Sequence, residues 1–429
     1  MNAQEKHFKG FLIIWLGQLM SAIGSGLTAF ALGVFVFQKT QSATSFSLII
    51  LFSFLPSFIL LPFGGVLADR FNRKKMMIIG DAGAISGVLF ILLVMLSGNI
   101  ELWQIYIGVA MSSVFAAIQS PAYKAAVSDL VSAELYSQAS GLIQIAGSAQ
   151  YLISPIIAGL LISVFDIKLV LIIDIITFLI AVAAVFMVKK QEATPQKHKK
   201  QEFFHDMTDS FRYLLSQQGV LWLILLTSMV CFYIGLLQSL FGPMMLTLTN
   251  SKTLGIALSV SASGMLVSSM FIGIFGMGKS KVFILSLSLA LAGLFYALMG
   301  LFTAVVLIIM FCFLFFSTLP FVNTSIEVLI RSNVDNEKQG RIWSMVSAIS
   351  QVGYIFAFGS AGFLADQLFN PLFYSDGALS QTVGQIIGTG QGRGIGFLFI
   401  ISGLLVSILA LIIGRVNKIG ALELIKAGQ

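Results

Sequence analysis

Gly64-Gly65-Val66-Leu67-Ala68-Asp69-Arg70-Phe71-Asn72-Arg73-Lys74-Lys75 joins two long apolar runs, 45–68 and 76–97. Between Asp69 and Lys75 the chain carries one carboxylate and four cations, and then the apolar run resumes. A helix crossing hydrocarbon needs about 20 mostly apolar residues, and Lys and Arg gather in the short loops on the inner side. The stretch therefore reads as the inner loop of a hairpin of two membrane-crossing helices.

The rest of the chain agrees with its loop. Its 429 residues are 57% hydrophobic and only 10% charged, with a mean hydropathy of +0.96. A soluble domain carries about 25% charged residues, so too few polar groups are present to cover a globular surface. That excludes a soluble enzyme, a disordered chain and a secreted disulfide scaffold. Cys231 and Cys312 both sit inside apolar runs. The polar start, Met1–Gly10, leads into an apolar run with no small-residue cleavage site, which reads as a first span and not a signal peptide.

Twelve apolar runs are long enough to span, the first at 11–37, the fifth at 138–164, the sixth at 167–188 and the last at 394–414. With the N-terminus inside, 21 of the 25 Lys and Arg fall on the inner side; Lys39, Lys168, Lys252 and Arg393 remain outside. This asymmetry predicts that both termini are cytoplasmic. The polar stretch 189–218 divides the spans six and six. Its second part sets Phe204, Met207, Phe211 and Leu215 on one face, a pattern for a helix lying on the inner membrane surface. The expected organisation is a bundle at 1–188, a cytoplasmic linker at 189–218 and a second bundle at 219–429. A shift of 209 sets Gly10, Gly26 and Gly33 on Gly219, Gly235 and Gly242, and a shift of 203 sets Val131 and Gly159 on Val334 and Gly362. Parallel repeats of this kind are a transporter architecture.

The opening stretch resembles the signature loop of the major facilitator superfamily, Gly-x-Leu-Ala-Asp-Arg-x-Gly-Arg-Arg/Lys. Asn72 stands where the family has a turn glycine, and asparagine is the next residue best able to adopt a left-handed turn. A positive-inside loop alone explains the cations but not Asp69 in register with them. The resemblance implies an all-α polytopic membrane protein of two pseudo-symmetric six-helix bundles working by alternating access. It further implies that Gly65 allows close helix approach, that Asp69 latches the outward-open state, and that Arg70 and Arg73 share its charge network. In the fifth span, Gly141, Pro155 and Gly159 resemble a worn antiporter motif of drug-efflux members, with Ser154 and Ala158 in place of glycines. Val334–Arg341 and Gly388–Gly394 resemble the macrolide-efflux branch.

Acids inside spans are expensive, roughly 2.5–3.5 kcal/mol at the bilayer centre on insertion scales, so each asks for a reason. Asp174, Glu327 and Asp81 are the candidates for proton coupling. Glu327 has Arg331 one turn away, and Asp81 has the Arg73–Lys75 cluster within reach, so pairing competes with coupling for both. Asp174 has only Lys168 nearby and is the leading candidate, with capping of a neighbouring helix as the alternative. In this fold spans one, four, seven and ten line the central path. Gln18 and Ser25, Tyr233 and Gln238, and Asn323 are its polar candidates, with 38 Phe and 17 Met to make an adaptable apolar wall.

Gly273–Ser280 matches a phosphate-loop pattern but closes an apolar span, outside the strand–helix setting that motif requires. No zinc-ligand spacing or nucleophile–base pair appears, so neither enzyme activity nor a metal, ATP or other cofactor is expected. The expected function is proton antiport of hydrophobic or amphipathic small molecules, macrolide-like antibiotics included, out across the cell membrane. The protein is expected to be monomeric and not to bind nucleic acid. Transport of a siderophore or a lysolipid on the same fold is the alternative, and a non-transporting membrane receptor is disfavoured by the short tails.

Overall fold

The computed structural model describes residues 3–132, 135–188, 217–278, 280–334, 339–413 and Glu423. Among them, twelve helical stretches are long and apolar enough to cross a membrane, and no strand occurs. The expected helix over Phe204–Leu215, with most of the linker, lies outside the described residues.

The first compact unit holds α1 (Ala3–Thr40), α2 (Ala43–Arg70), α3 (Arg73–Leu96) and α4 (Leu102–Leu130). It continues with α5 (Tyr136–Leu152), α6 (Ser154–Val164) and α7 (Ile167–Met187), and includes Asn250–Ser259. The second holds α8 (Gln218–Leu248), the rest of α9 (Ser251–Phe275), α10 (Lys281–Leu301) and α11 (Val305–Asn333). It closes with α12 (Gln339–Phe363), the short α13 (Gly384–Ile387) and α14 (Arg393–Ile413). The fifth span is thus two helices. Pro155 has no N–H to continue the ladder, so the two meet at Ile153, which itself keeps right-handed helical backbone.

Short polar side chains start the spans. Ser42 accepts from the N–H of Ser45 at 3.1 Å, Asp166 from Lys168 at 3.2 Å and Ser280 from Phe283 at 3.3 Å. Each satisfies a helix N–H that has no partner within its own helix. Asn72 belongs to this set. Its φ of −61° is not left-handed, and its Oδ1 accepts from the N–H of Lys75 at 3.1 Å. The residue is there to cap α3, not to replace a turn glycine.

Two apolar clusters make the core of the first unit. One gathers Phe11, Ile14, Met77, Tyr123, Val127 and Val185 at the end of the unit near the Arg70–Lys75 loop. The other gathers Leu32, Val88, Ile91, Ile105 and Leu171 further along the same helices. Helix crossings are tight. A Cβ on Gly87 would lie 2.2 Å from the carbonyl oxygen of Gly108, and one on Gly300 would lie 2.1 Å from that of Gly396. Close approach of this kind is how helices pack where no hydrophobic effect drives them together. Large side chains such as Leu16, Val164, Phe186, Met270 and Val306 stay exposed on the outer faces, as contact with lipid acyl chains would have them.

Candidate functional site

Between the two apolar clusters of the first unit lies a polar layer. Gln18 of α1 donates from Nε2 to Oδ2 of Asp81 on α3 at 2.9 Å. Gln119 of α4 donates from Nε2 to Oε1 of Gln18 at 2.6 Å. Asp81 is 2% exposed and Gln18 8%. Both amides are therefore oriented by a buried carboxylate, and Gln18 is held between α3 and α4. The basic cluster near Asp81 points elsewhere. Arg73 donates from Nη1 to the carbonyl of Ala125 at 2.8 Å, and Lys74 from Nζ to that of Val188 at 2.7 Å. Buried polar groups cost free energy unless they are hydrogen-bonded, and here the amides of Gln18 and Gln119 supply the bonds. Gln119 was missed in the sequence, although an amide within an apolar span is the same signal that drew attention to Gln18.

Asp174 of α7 is 1% exposed and faces α1. A Cβ on Gly24 would come 2.8 Å from its Oδ1 and 2.1 Å from Oγ1 of Thr177, so only glycine lets the two backbones approach this closely. The hydroxyls of Thr28, Ser25 and Thr177 surround the carboxylate. Thr177 donates to the backbone carbonyl of Asp174 at 2.8 Å. Oδ1 of Asp174 and Oγ1 of Thr28 nevertheless make no hydrogen bond of good geometry. Lys168, six residues before Asp174, is ion-paired to Asp166 at 3.5 Å. Glu327, the third acid, sits half-exposed and paired with Arg331 at 2.6 Å.

In the signature loop, the surroundings of Gly65 and the side chain of Asp69 lie outside what is described, and Arg70 is exposed. Among the described residues of this region, Gly64 makes a close approach, where a Cβ would lie 2.1 Å from the carbonyl oxygen of Ala117. Pro121 has no N–H to offer that carbonyl, so α4 leaves an oxygen free at the point where α2 crosses it. In the fifth span, the motif residues divide. Gly159 packs on the carbonyl of Ser251, and that of Pro155 meets Gly255, whereas Gly141 has nothing within 4 Å of where a Cβ would be.

The second unit contains an apolar pocket lined by Met229, Tyr233, Leu289, Tyr296, Phe315 and Val406, among others. Tyr296 is fully buried, donates its hydroxyl to the carbonyl of Tyr233 at 3.2 Å, and meets the rings of Phe315 and Phe399 edge-on. Tyr233 thus lines a pocket within this bundle, while Gln238 and Asn323 are exposed. Ser25 stays half-buried near Asp174.

Two bundles of spans, a signature loop and buried polar groups at membrane depth describe a multi-pass membrane transporter, and the comparisons with known proteins give the family. The chain belongs to the Major Facilitator Superfamily, whose pattern matches residues 14–358. It is 25% identical over 419 residues to Macrolide efflux protein A of Streptococcus pyogenes, covering 96% of this chain and 97% of that protein. It is 30% identical over 158 residues to the enterobactin exporter of Shigella flexneri, covering 37% of this chain and 38% of that one. Among solved structures, a bacterial homologue of the lysosomal transporter Spinster superposes with a TM-score of 0.71 at 11% identity, over 96% of this chain and 98% of that one. A bacterial homologue of the iron transporter ferroportin gives 0.69 at 15% identity, over 95% and 99%. At those identities the likeness is one of fold.

Proposed function

We propose that this chain is a proton-coupled exporter of hydrophobic and amphipathic compounds, macrolide-like antibiotics among them, in a bacterial-type cytoplasmic membrane. The observation that carries the reading is its end-to-end similarity to Macrolide efflux protein A. Asp174 is the coupling acid. Both termini face the cytoplasm, and Asp69, Arg70 and Arg73 act as the conformational switch. A siderophore substrate is the second reading, favoured by the similarity to the enterobactin exporter over the matched 158 residues.

Everted vesicles test it. With an inward-acid gradient they should accumulate labelled erythromycin, and an uncoupler should collapse the accumulation. Accumulation that ignores the uncoupler would remove the proton from the mechanism. Accumulation of a catecholate siderophore but not of erythromycin would turn the reading to the second substrate.

A further inference from the structure

The two buried carboxylates of the first unit share one helix. On α1, Gln18, Ser21, Ser25 and Thr28 recur at spacings of three and four residues, which places them on one face. Gln18 holds Asp81, and Ser25 and Thr28 stand beside Asp174. Ser21, 5% exposed, falls between Gln18 and Ser25 along the helix. Helix α1 packs on α7, and α7 packs on α3, so this face of α1 looks toward both acids. From position 18 to position 25 the helix rises about 10 Å. Each step between neighbouring hydroxyls is one turn, about 5–6 Å, a gap that one bridging water covers.

We propose that Asp174, the polar face of α1 and Asp81 form a two-site proton path inside the first bundle, with Asp81 as the second, inner proton site. This rests on the proton-coupled reading above. Asp174 takes a proton on Oδ1, which makes no hydrogen bond of good geometry. Ser25 and then Ser21 each accept a proton on oxygen and release their own, so no hydroxyl is consumed. An O–H bond forms on Asp81 as the one on Asp174 breaks, and the negative charge moves the opposite way. Gln18 and Gln119 are positioning residues, since an amide holds the carboxylate in place without relaying the proton.

Among the described residues, the other charged and titratable groups on these helices are occupied, exposed, as Lys75 is, or distant, apart from Tyr123. On α3 and α7, Arg73, Lys74 and Lys168 have the partners given above. On α1, Lys39 donates to the carbonyl of Ile100, and Lys9 is more than two turns from Gln18. On α4, Tyr123 is one turn from Gln119 with its hydroxyl unpartnered, and Lys124 is exposed. Tyr106 donates to Ser45 of α2. On α5, Tyr151 is exposed.

Proteoliposomes holding a pH dye, with erythromycin as the probe, test the path. Asp81→Asn and Asp174→Asn should each cut erythromycin-dependent proton movement by at least about tenfold, and Ser21→Ala by about threefold. Exchange of erythromycin down its own gradient should stay within about twofold in all three, because only the proton step is removed. Proton movement that survives Asp81→Asn overturns the inner site. Loss of exchange together with proton movement overturns it too, since that marks a structural role. A wild type that moves no protons with erythromycin sinks the coupling reading before any variant is made. Infrared difference spectra across pH require no transported compound. Asp81→Asn should remove one protonated-carboxyl component and Asp174→Asn another, and a spectrum unchanged by Asp81→Asn refutes the proposal.

Discussion

The third and sixth spans and the ninth and twelfth spans occupy the same places in chain order, yet their seams are built differently. In the first bundle, α3 and α7 each bring a buried carboxylate toward α1, and Gln18 and the hydroxyls of α1 receive them. In the second, α10 and α14 are joined by glycine against backbone. Gly293 meets the carbonyl of Gly403 and Gly300 that of Gly396, and Ser407 donates to the carbonyl of Ala290 at 3.2 Å. Among its described residues the second unit buries no carboxylate. The partner helices differ in the same sense. The shift of 209 turns Gln18, Ser21, Ser25 and Thr28 of α1 into Thr227, Val230, Ile234 and Leu237 of α8. Buried acids occur where a third helix offers amides and hydroxyls, and the described seam without that helix face buries none.

The comparison can be broken most forcefully at its shared feature. Gly87→Leu and Gly300→Leu would each drive a side chain into a backbone oxygen that cannot move aside, costing about 3 kcal/mol or more. Thermal unfolding in detergent should register both, whereas Gly141→Leu, facing open space, should change stability by less than about 0.5 kcal/mol. If only one of the two bundles suffers, the glycine crossings are not equivalent supports.

A smaller effect belongs to the second bundle alone. Arg393 is 3% exposed and donates from Nη2 to the carbonyl of Gly300 at 2.8 Å and from Nη1 to that of Phe302 at 3.3 Å. Arg393→Met should cost about 2 kcal/mol. Faster amide exchange at 300–303, with the first bundle unchanged, is the expected signature. A change at Asp81 or Asp174 would mean that the bundles do not separate as described.

The smallest expected effect sharpens the contrast. Glu327→Gln removes an exposed pair with Arg331 and should alter stability by less than about 0.5 kcal/mol. Proton-driven efflux should persist in everted vesicles. Its loss would place a coupling acid in the second bundle and end the division between a seam with buried acids and one without.

Much of this architecture was readable in the chain. Apolar runs of membrane length and the loop at Asp69 led to twelve spans and the family, because hydrocarbon tolerates few other solutions for a backbone. Pro155 was legible as part of a motif in the fifth span, though not the interruption of the helix assignment at Ile153. The acids were visible as acids. Their partners were not, because Gln18 and Asp81 are 63 residues apart and Gln18 and Gln119 are 101 apart. Sequence neighbours pointed instead to Arg73–Lys75, whose described contacts go to backbone carbonyls.

Composition and periodicity by themselves determined that this protein crosses a membrane twelve times and which residues carry charge at depth. Those properties are local, since each span meets lipid on its own account. Only the tertiary structure decided that Asp81 belongs to Gln18 and not to the basic loop, and that Gly64 meets the carbonyl left free by Pro121. It alone showed that Asp174 lies against Gly24 among hydroxyls. Those pairings depend on how helices distant in sequence cross. The crossing is selected by backbone approach at single glycines, which no pattern along one helix reveals.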